Sequence, residues 1–368
     1  MQLSITLDGG FCNRVSSKKF DTMDGSRTSR NFLAAKLVLA FFFSTESVPV
    51  FPMTQDTVQD RLQQAAQLIS AQKFQSAREI LEDLLQSTGE KAPTQVYYQL
   101  ALCYAKQAEW RKAEEALQTF LQASPENFSA LYLKGFVLFS SGRYEESLRV
   151  LQPLAEGNSQ HAATQKVIGL DQFMLGRADL AEVALTRAVT LTPQDAEAQY
   201  YLGRVYFMRN NLPGALAAFQ KTTALDASSV RGYNHLGQTY EALVQYPAAR
   251  SAYLKAIELA ERQNTKSEWP YFNLGSLCLR EGRAAEAEGY LRQALERQPA
   301  WSEGKAKLGM ALLALNRLAE ASSYLEQAVQ IDPHNADARY QYARLLVKMG
   351  KPDEAEQHFQ RFRQQKNP

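Results

Sequence analysis

Cysteine and histidine are scarce in this sequence. The three cysteines are Cys12, Cys103 and Cys278, and the four histidines are scattered along 368 residues. A disulfide framework needs a dense, even set of cysteines, and a zinc site needs closely spaced Cys or His ligands. Neither pattern is present, so we expect no cofactor and no bound metal.

An excess of charge of one sign is also absent. Lys and Arg number 41 against 39 Asp and Glu, and the two signs are interspersed. Proteins that bind the nucleic-acid backbone usually carry a basic patch or stripe. We therefore expect no nucleic-acid binding. The chain is too long for one compact core, and at 45% hydrophobic residues it can bury ample apolar surface.

Apolar runs long enough to cross a bilayer are missing as well. The run FLAAKLVLAFFF at 32–43 contains Lys36 and is well short of the roughly 20 residues that a transmembrane helix needs. Basic residues precede it and small residues follow, as in a secretory signal. We interpret 1–52 as a signal-like leader, with Met23 as an alternative start and cleavage after Ser47. This predicts a secreted or periplasmic protein. The alternative is a disordered leader that stays attached to a cytoplasmic protein.

A repeat of about 34 residues is what the sequence does have. Gly203, Gly237, Gly275 and Gly309 each follow a leucine, at intervals of 34, 38 and 34 residues. Twelve residues after each glycine stands an alanine, and four beyond that a large apolar residue. With the glycine as the eighth position, repeats begin near residues 58, 94, 128, 162, 196, 230, 268, 302 and 336.

Each repeat predicts a pair of helices. Two apolar runs of helical period are separated by a turn of small residues, such as FSSGRYEE. Glycine or alanine at the eighth position and alanine at the twentieth would let two antiparallel helices approach closely. A proline follows the second helix in several repeats, where its missing N–H stops the helix. No strand is predicted.

This pattern resembles the tetratricopeptide repeat. The best copy is Tyr233-x2-Leu236-Gly237-x2-Tyr240, followed by Ala249, Tyr253 and Ala256. The resemblance covers about 58–368, although the first repeat is poor and Gln172 replaces the usual aromatic in the fourth. It implies an all-α, right-handed superhelical solenoid of antiparallel helix pairs over 53–368, with about nine units.

The resemblance also implies that the first helix of each repeat lines a concave groove. The positions that would face this groove predict a partner-binding stripe, aromatic at its start and polar further on. Some of these aromatics could instead pack against neighbouring helices, because apolar periodicity alone does not separate core from groove. The predicted binding residues are Tyr98, Tyr132, Phe136, Phe139, Phe173, Tyr200, Arg204, Phe207, Arg231, Asn234, Gln238, Trp269, Phe272 and Asn273, with Leu102 and Leu170 in the same row.

The function that follows is a non-catalytic, monomeric adaptor that binds a protein or peptide partner. A structural role in a cell-envelope or secretion assembly is the alternative. A regulatory subunit of an enzyme and a co-chaperone with a carboxylate clamp are weaker alternatives. The nearest matches to such a clamp are Asn234, Gln238, Asn273, Glu303 and Lys307, and Glu303 would repel a carboxylate.

An enzyme is not indicated, because no catalytic motif occurs in the repeats. His235 is interpreted as a polar filler, and Cys103 and Cys278 as buried, inert thiols.

Overall fold

The computed structural model describes residues 55–366, which form eighteen α-helices, one short 3₁₀ turn and no strand. The signal-like leader lies outside these residues. Within them, no helix is both long and apolar enough to cross a membrane. The described residues divide into two compact modules, one ending at Thr192 and the other beginning at Pro193.

The N-terminal module contains four helix pairs. In chain order its helices are α1 (Gln55–Ser70), α2 (Phe74–Thr88), α3 (Thr94–Lys106), α4 (Trp110–Ala123), α5 (Phe128–Ser140), α6 (Tyr144–Gly157), α7 (Ala162–Met174) and α8 (Ala178–Leu191), with the 3₁₀ turn at Gly89–Lys91.

The C-terminal module contains five pairs. Its α12 has 17 residues where the second helices of its other complete repeats have 14 or 15, so the longer interval in this repeat comes partly from a longer helix. The helices are α9 (Ala196–Met208), α10 (Leu212–Leu225), α11 (Val230–Ala242), α12 (Tyr246–Arg262), α13 (Trp269–Arg280), α14 (Ala284–Arg297), α15 (Ser302–Ala314), α16 (Leu318–Ile331), α17 (Ala336–Lys348) and α18 (Pro352–Lys366).

Close approach within a pair depends on the small residue at the eighth position, which is glycine in six repeats and alanine in the first, second and ninth. A Cβ placed on Gly203 would lie 2.8 Å from the Phe219 ring, and one on Gly309 would lie 2.6 Å from Leu325. The alanine at the twentieth position is fully buried in the same contact, as at Ala215. The steric interpretation of these positions is thus confirmed, as is the all-α arrangement of helix pairs.

The turn inside each pair needs a left-handed residue at the fifteenth position of the repeat. Gly176, Gly282 and Gly350 have φ between 74° and 76°, and Asn210 and Asn316 are close to 60°. Glycine and asparagine adopt this conformation most readily. The turn then closes with a backbone bond such as that from Arg177 N to Gln172 O, at 2.8 Å.

Short polar side chains begin many of the first helices. The Asp195 carboxylate accepts from Ala198 N at 2.9 Å, and the Asn335 side chain accepts from Ala338 N at 2.9 Å. Ser229 does the same for Gly232 N. Each bond satisfies a backbone donor that has no partner within the helix. The caps fix where the first helix of the repeat starts, and so which of its faces turns inward.

Candidate functional site

In the N-terminal module, the predicted stripe is mostly core. Phe136, Phe139 and Phe173 are buried, and Phe173 has only 1% of its surface exposed. Leu102 and Leu170 are buried with them. The expectation that these aromatics form an exposed row is wrong, because they fill the space between neighbouring helices. Phe139, for example, lies 5.9 Å from the Tyr144 ring of α6.

Two aromatics of this module remain half-buried. Tyr98 on α3 packs against Phe120 of α4, with ring centroids 5.3 Å apart. Tyr132 on α5 meets the edge of His161 at 5.1 Å. Their binding role stays a prediction, and any contact with a partner would use only part of each ring.

The C-terminal module presents a more polar surface. Tyr200 and Phe272 are buried, as are Asn234 and Asn273. The half-buried members of the predicted set on α9 and α11 are Arg204, Phe207, Arg231 and Gln238. We call these four residues the α9–α11 surface.

Two guanidinium groups share one aromatic ring beneath this surface. The Arg231 Cζ lies 5.0 Å from the centroid of the Tyr200 ring, and the Arg204 Cζ lies 5.9 Å from it. A guanidinium over a tyrosine face is attracted by the negative face of the ring. The two arginines come from the first helices of adjacent repeats. The Tyr200 ring therefore keeps two positively charged groups close together.

His235 completes this cluster. Its ring meets the edge of Tyr200 at 5.3 Å, and its Nδ1 lies 3.0 Å from the Arg231 carbonyl oxygen. Burial, together with the charges of Arg204 and Arg231, lowers the pKa of His235 to about 3. The imidazole is therefore neutral near pH 7, in line with its interpretation as a filler.

Two asparagines that the sequence offers for a carboxylate clamp, Asn234 and Asn273, bond to each other. Asn273 Nδ2 donates to Asn234 Oδ1 at 2.9 Å in a buried contact between α13 and α11. A carboxylate clamp would need these amides to face a ligand. Here their hydrogen bond links two repeats, which argues against the clamp.

A second aromatic cluster joins α13 to Trp301, the residue just before α15. The ring of Trp269 lies 6.0 Å from that of Phe272 and 5.0 Å from that of Trp301, and Phe272 and Trp301 are 4.4 Å apart. Trp301 was missed by the sequence reasoning because it precedes the first helix of its repeat. The only sequence signal was a tryptophan two residues after Pro299.

The two thiols within the described residues are buried, as the sequence predicted. Cys103 and Cys278 are both free and fully buried. Burial raises the pKa of Cys103 to about 12 and also raises the pKa of Cys278. Since the thiolate is the nucleophilic form, neither residue is an activated thiol.

Comparison with known families agrees with this architecture. Models described as tetratricopeptide repeat match residues 167–230, 229–300 and 312–367, just over half of the chain. The chain belongs to the tetratricopeptide repeat (TPR) family. A model described as subunit 3 of the anaphase-promoting complex, or cyclosome, matches residues 70–154 of this TPR protein. No curated protein matches the sequence.

Solved structures are similar in fold. The APC/C hetero-tetramer Cut9–Hcn1 is 16% identical with a TM-score of 0.54, and the match covers 79% of this chain and 57% of that chain. A TPR protein from Parabacteroides merdae is 16% identical with a TM-score of 0.52, covering 69% and 98%. This chain thus spans less than two thirds of the Cut9–Hcn1 chain that it matches. At this identity, the likeness shows the fold alone.

Proposed function

We propose that this TPR protein is a non-catalytic adaptor that binds a segment of a partner protein on the α9–α11 surface, through an acidic side chain or a terminal carboxylate. A TPR fold supports a protein-interaction scaffold in general, because stacked helix pairs expose long surfaces. The particular surface is our proposal. It rests on one observation, the convergence of Arg204 and Arg231 over the Tyr200 ring.

The chemistry of arginine supports a carboxylate ligand. A guanidinium that lies over an aromatic ring uses its face, so its in-plane N–H groups can form paired hydrogen bonds with a carboxylate. Both side chains are half-buried, which lowers the local dielectric and strengthens such bonds. Phe207 on the same surface adds apolar area beside the charge.

Partner capture with the full chain as bait tests this function. We expect Arg204→Gln with Arg231→Gln to lose a partner that the unchanged chain retains, because the carboxylate would lose both of its cations. Arg262→Gln is the matched control, since Arg262 is largely exposed on α12. Alanine at Phe139 or Phe173 is unsuitable as a test because it would open a cavity in the core.

Binding should also respond to salt. The captured segment is then synthesised with each acidic residue replaced by its amide, and its affinity is measured from 50 to 300 mM NaCl. We expect affinity to fall as salt rises and to drop with one particular amide. Equal recovery by the double variant and the unchanged chain would disprove this surface.

We further propose that the leader directs the protein out of the cytoplasm. The support is the order of basic, apolar and small residues before Val48. N-terminal sequencing of the natural protein tests it, and the expected first residue is Val48. A natural chain that begins at Met1 or Met23 would contradict cleavage.

A further inference from the structure

In the first and eighth repeats, the same two positions face each other across the helix pair. They are the fourth residue, on the first helix, and the twenty-sixth, on the second. In the first repeat these residues are Arg61 and Asp83, which form an ion pair. In the eighth repeat Lys305 Nζ donates to Gln327 Oε1 at 2.8 Å. In these two repeats the positions hold a cation and its acceptor.

The last repeat has a cation at both positions, Arg339 on α17 and Arg361 on α18. In the repeats between the first and the last, the two positions hold at most one cation. Those pairs are Tyr97 and Thr119, Leu131 and Pro153, Gln165 and Arg187, Gln199 and Lys221, Tyr233 and Lys255, Tyr271 and Gln293, and Lys305 and Gln327.

Arg339 is buried without an acidic partner. Its side chain is only 4% exposed, and its Nη2 donates to the Pro333 carbonyl oxygen at 2.6 Å. Its Nε and Nη1 have no hydrogen-bond acceptor among the described residues. Burial and the charge of Arg361 both lower the pKa of Arg339. A buried charge that lacks a counter-charge is costly, and an anion beside Arg339 would offset that cost.

His358 lies in the same cluster, one turn before Arg361. Its ring meets the edge of Tyr342 at 4.9 Å, and its buried Nδ1 has no hydrogen-bond partner among the described residues. Burial lowers the pKa of His358, and the charges of Arg339 and Arg361 lower it further. The pKa of His358 therefore responds to the charge between Arg339 and Arg361.

The two acids that raise the pKa of His358 have other partners. Glu354 pairs with Lys351 at 3.0 Å, and Glu326 accepts from Gln330 Nε2 at 3.3 Å. Both carboxylates act on His358 electrostatically, yet neither bonds to Arg339 or Arg361 in the part of the chain that the structure describes. Gln365 covers the same loop, where its Nε2 donates to the Pro333 carbonyl oxygen at 2.6 Å.

We propose that the last helix pair holds a binding site for an oxyanion, a carboxylate or a phosphate-like group, between Arg339 and Arg361. The anion takes the place that the Asp83 carboxylate has against Arg61 in the first repeat. Arg361 is exposed, so the anion approaches from solvent. The guanidinium of Arg339 contacts the anion after it turns away from the Pro333 carbonyl oxygen, and this requires only that one side chain moves. This site uses other helices than the α9–α11 surface, and neither proposal depends on the other.

Thermal unfolding of the full chain tests the site with sodium sulfate as the probe and sodium chloride at equal ionic strength as the reference. Sodium acetate forms a second arm, which separates a carboxylate site from a phosphate-like one. Arg361→Gln introduces the amide that the eighth repeat has at this position, and Arg361→Asp introduces the carboxylate of the first. Arg363→Gln is the control, because Arg363 is exposed on the same helix and pairs with Glu356.

We expect sulfate to raise the Tm of the unchanged chain and of Arg363→Gln above the chloride value. Binding of sulfate should weaken about tenfold or more in Arg361→Gln, since one charge-assisted contact is lost. Arg361→Asp should have a raised Tm in chloride and no response to sulfate. An equal sulfate response in Arg361→Gln and the unchanged chain would mean a general salt effect and would overturn the proposal.

The histidine gives a readout that needs no variant of the arginines. In NMR titrations, with the His358 signals assigned by comparison with His358→Gln, sulfate should move the pKa of His358 upward, because a bound anion offsets the two guanidinium charges. The other histidines serve as internal references. An unchanged His358 pKa at a sulfate concentration that saturates any Tm response would overturn the proposal, whatever the arginine variants do.

Discussion

The side-chain amide of Asn273 on α13 donates a 2.9 Å hydrogen bond to Oδ1 of Asn234 on α11, and both residues are buried. The two helices are the first helices of neighbouring repeats. Apolar contacts between repeats tolerate small shifts, whereas a buried hydrogen bond requires one register. This pair therefore fixes how two repeats meet in the C-terminal module.

We expect Asn273→Ala to lower the free energy of unfolding by about 1–3 kcal/mol, because it leaves Asn234 Oδ1 buried without a donor. Asn234→Ala should cost a similar amount. The double variant should be more stable than the sum of the two costs predicts, since it leaves neither amide unpaired. Urea denaturation of the four proteins gives the coupling energy. Strictly additive costs would mean that the bond contributes nothing.

Repeats with glycine at the eighth position should not accept a methyl group there. A Cβ on Gly237 would lie 2.5 Å from ring carbons of Tyr253, whose side chain is fully buried. We expect Gly237→Ala to destabilise the protein by about 1–3 kcal/mol through overpacking. Gly289→Ala is the matched control within a helix, because nothing lies within 4 Å of its Cβ. That variant should be stabilised by up to about 1 kcal/mol from helix propensity alone. Equal effects of the two changes would contradict the steric account.

Val244 occupies the left-handed position of its turn, with φ at 61° and 68% of its surface exposed. A β-branched residue in this conformation is strained, and an exposed side chain adds little packing. We expect Val244→Gly to raise the free energy of unfolding by about 1 kcal/mol. The reverse change at the equivalent position, Gly282→Val, should lower it by a similar amount. Thermal and urea unfolding of both variants measure the effect, and a loss of stability in Val244→Gly would show that the valine makes a contact of its own.

The fold class could be predicted because the contact that joins each helix pair recurs along the sequence. Gly237, Ala249 and Tyr253 meet in one contact, and equivalent residues recur along the chain at nearly constant spacing. Each repeat needs small residues at the same two positions, so aligning the repeats shows which residues meet within a helix pair. Turn glycines such as Gly176 and Gly282 recur in the same way.

The candidate site was less predictable because its residues occur once. Phe139 and Phe173 were expected in a groove, yet both are core, since a phenylalanine at helical spacing suits either environment. The meeting of Arg204 and Arg231 over Tyr200 depends on the packing of two helices, which the order of residues along one helix does not give. Arg339 and Arg361 are informative only when their positions are compared with those of Arg61 and Asp83.

Asp171 on α7 is a fully buried carboxyl group at a position that is apolar in neighbouring repeats, as at Val137 and Val205. Burial raises its pKa to about 8, the charge of Glu145 adds to this, and the hydroxyl of Ser147 opposes it. In the unfolded chain the pKa is about 3.9. Between pH 4 and pH 8, Asp171 thus keeps its proton in the native state but loses it in the unfolded chain. The contribution of Asp171 to the free energy of unfolding is complete below about pH 4 and is lost as pH rises toward 8.

Asp171→Asn should remove this loss, because the amide cannot ionise. We expect the variant to differ little from the unchanged chain near pH 4 and to be more stable by about 2–5 kcal/mol at pH 8.5. Urea denaturation from pH 4 to 9 measures the difference at each pH. Asp60→Asn on the exposed face of α1 is the control, and its effect should stay small and constant. If the gain in the free energy of unfolding from Asp171→Asn did not grow with pH, the pKa of Asp171 would not be raised in the native state. A positive charge close to the carboxylate would then have to offset its burial.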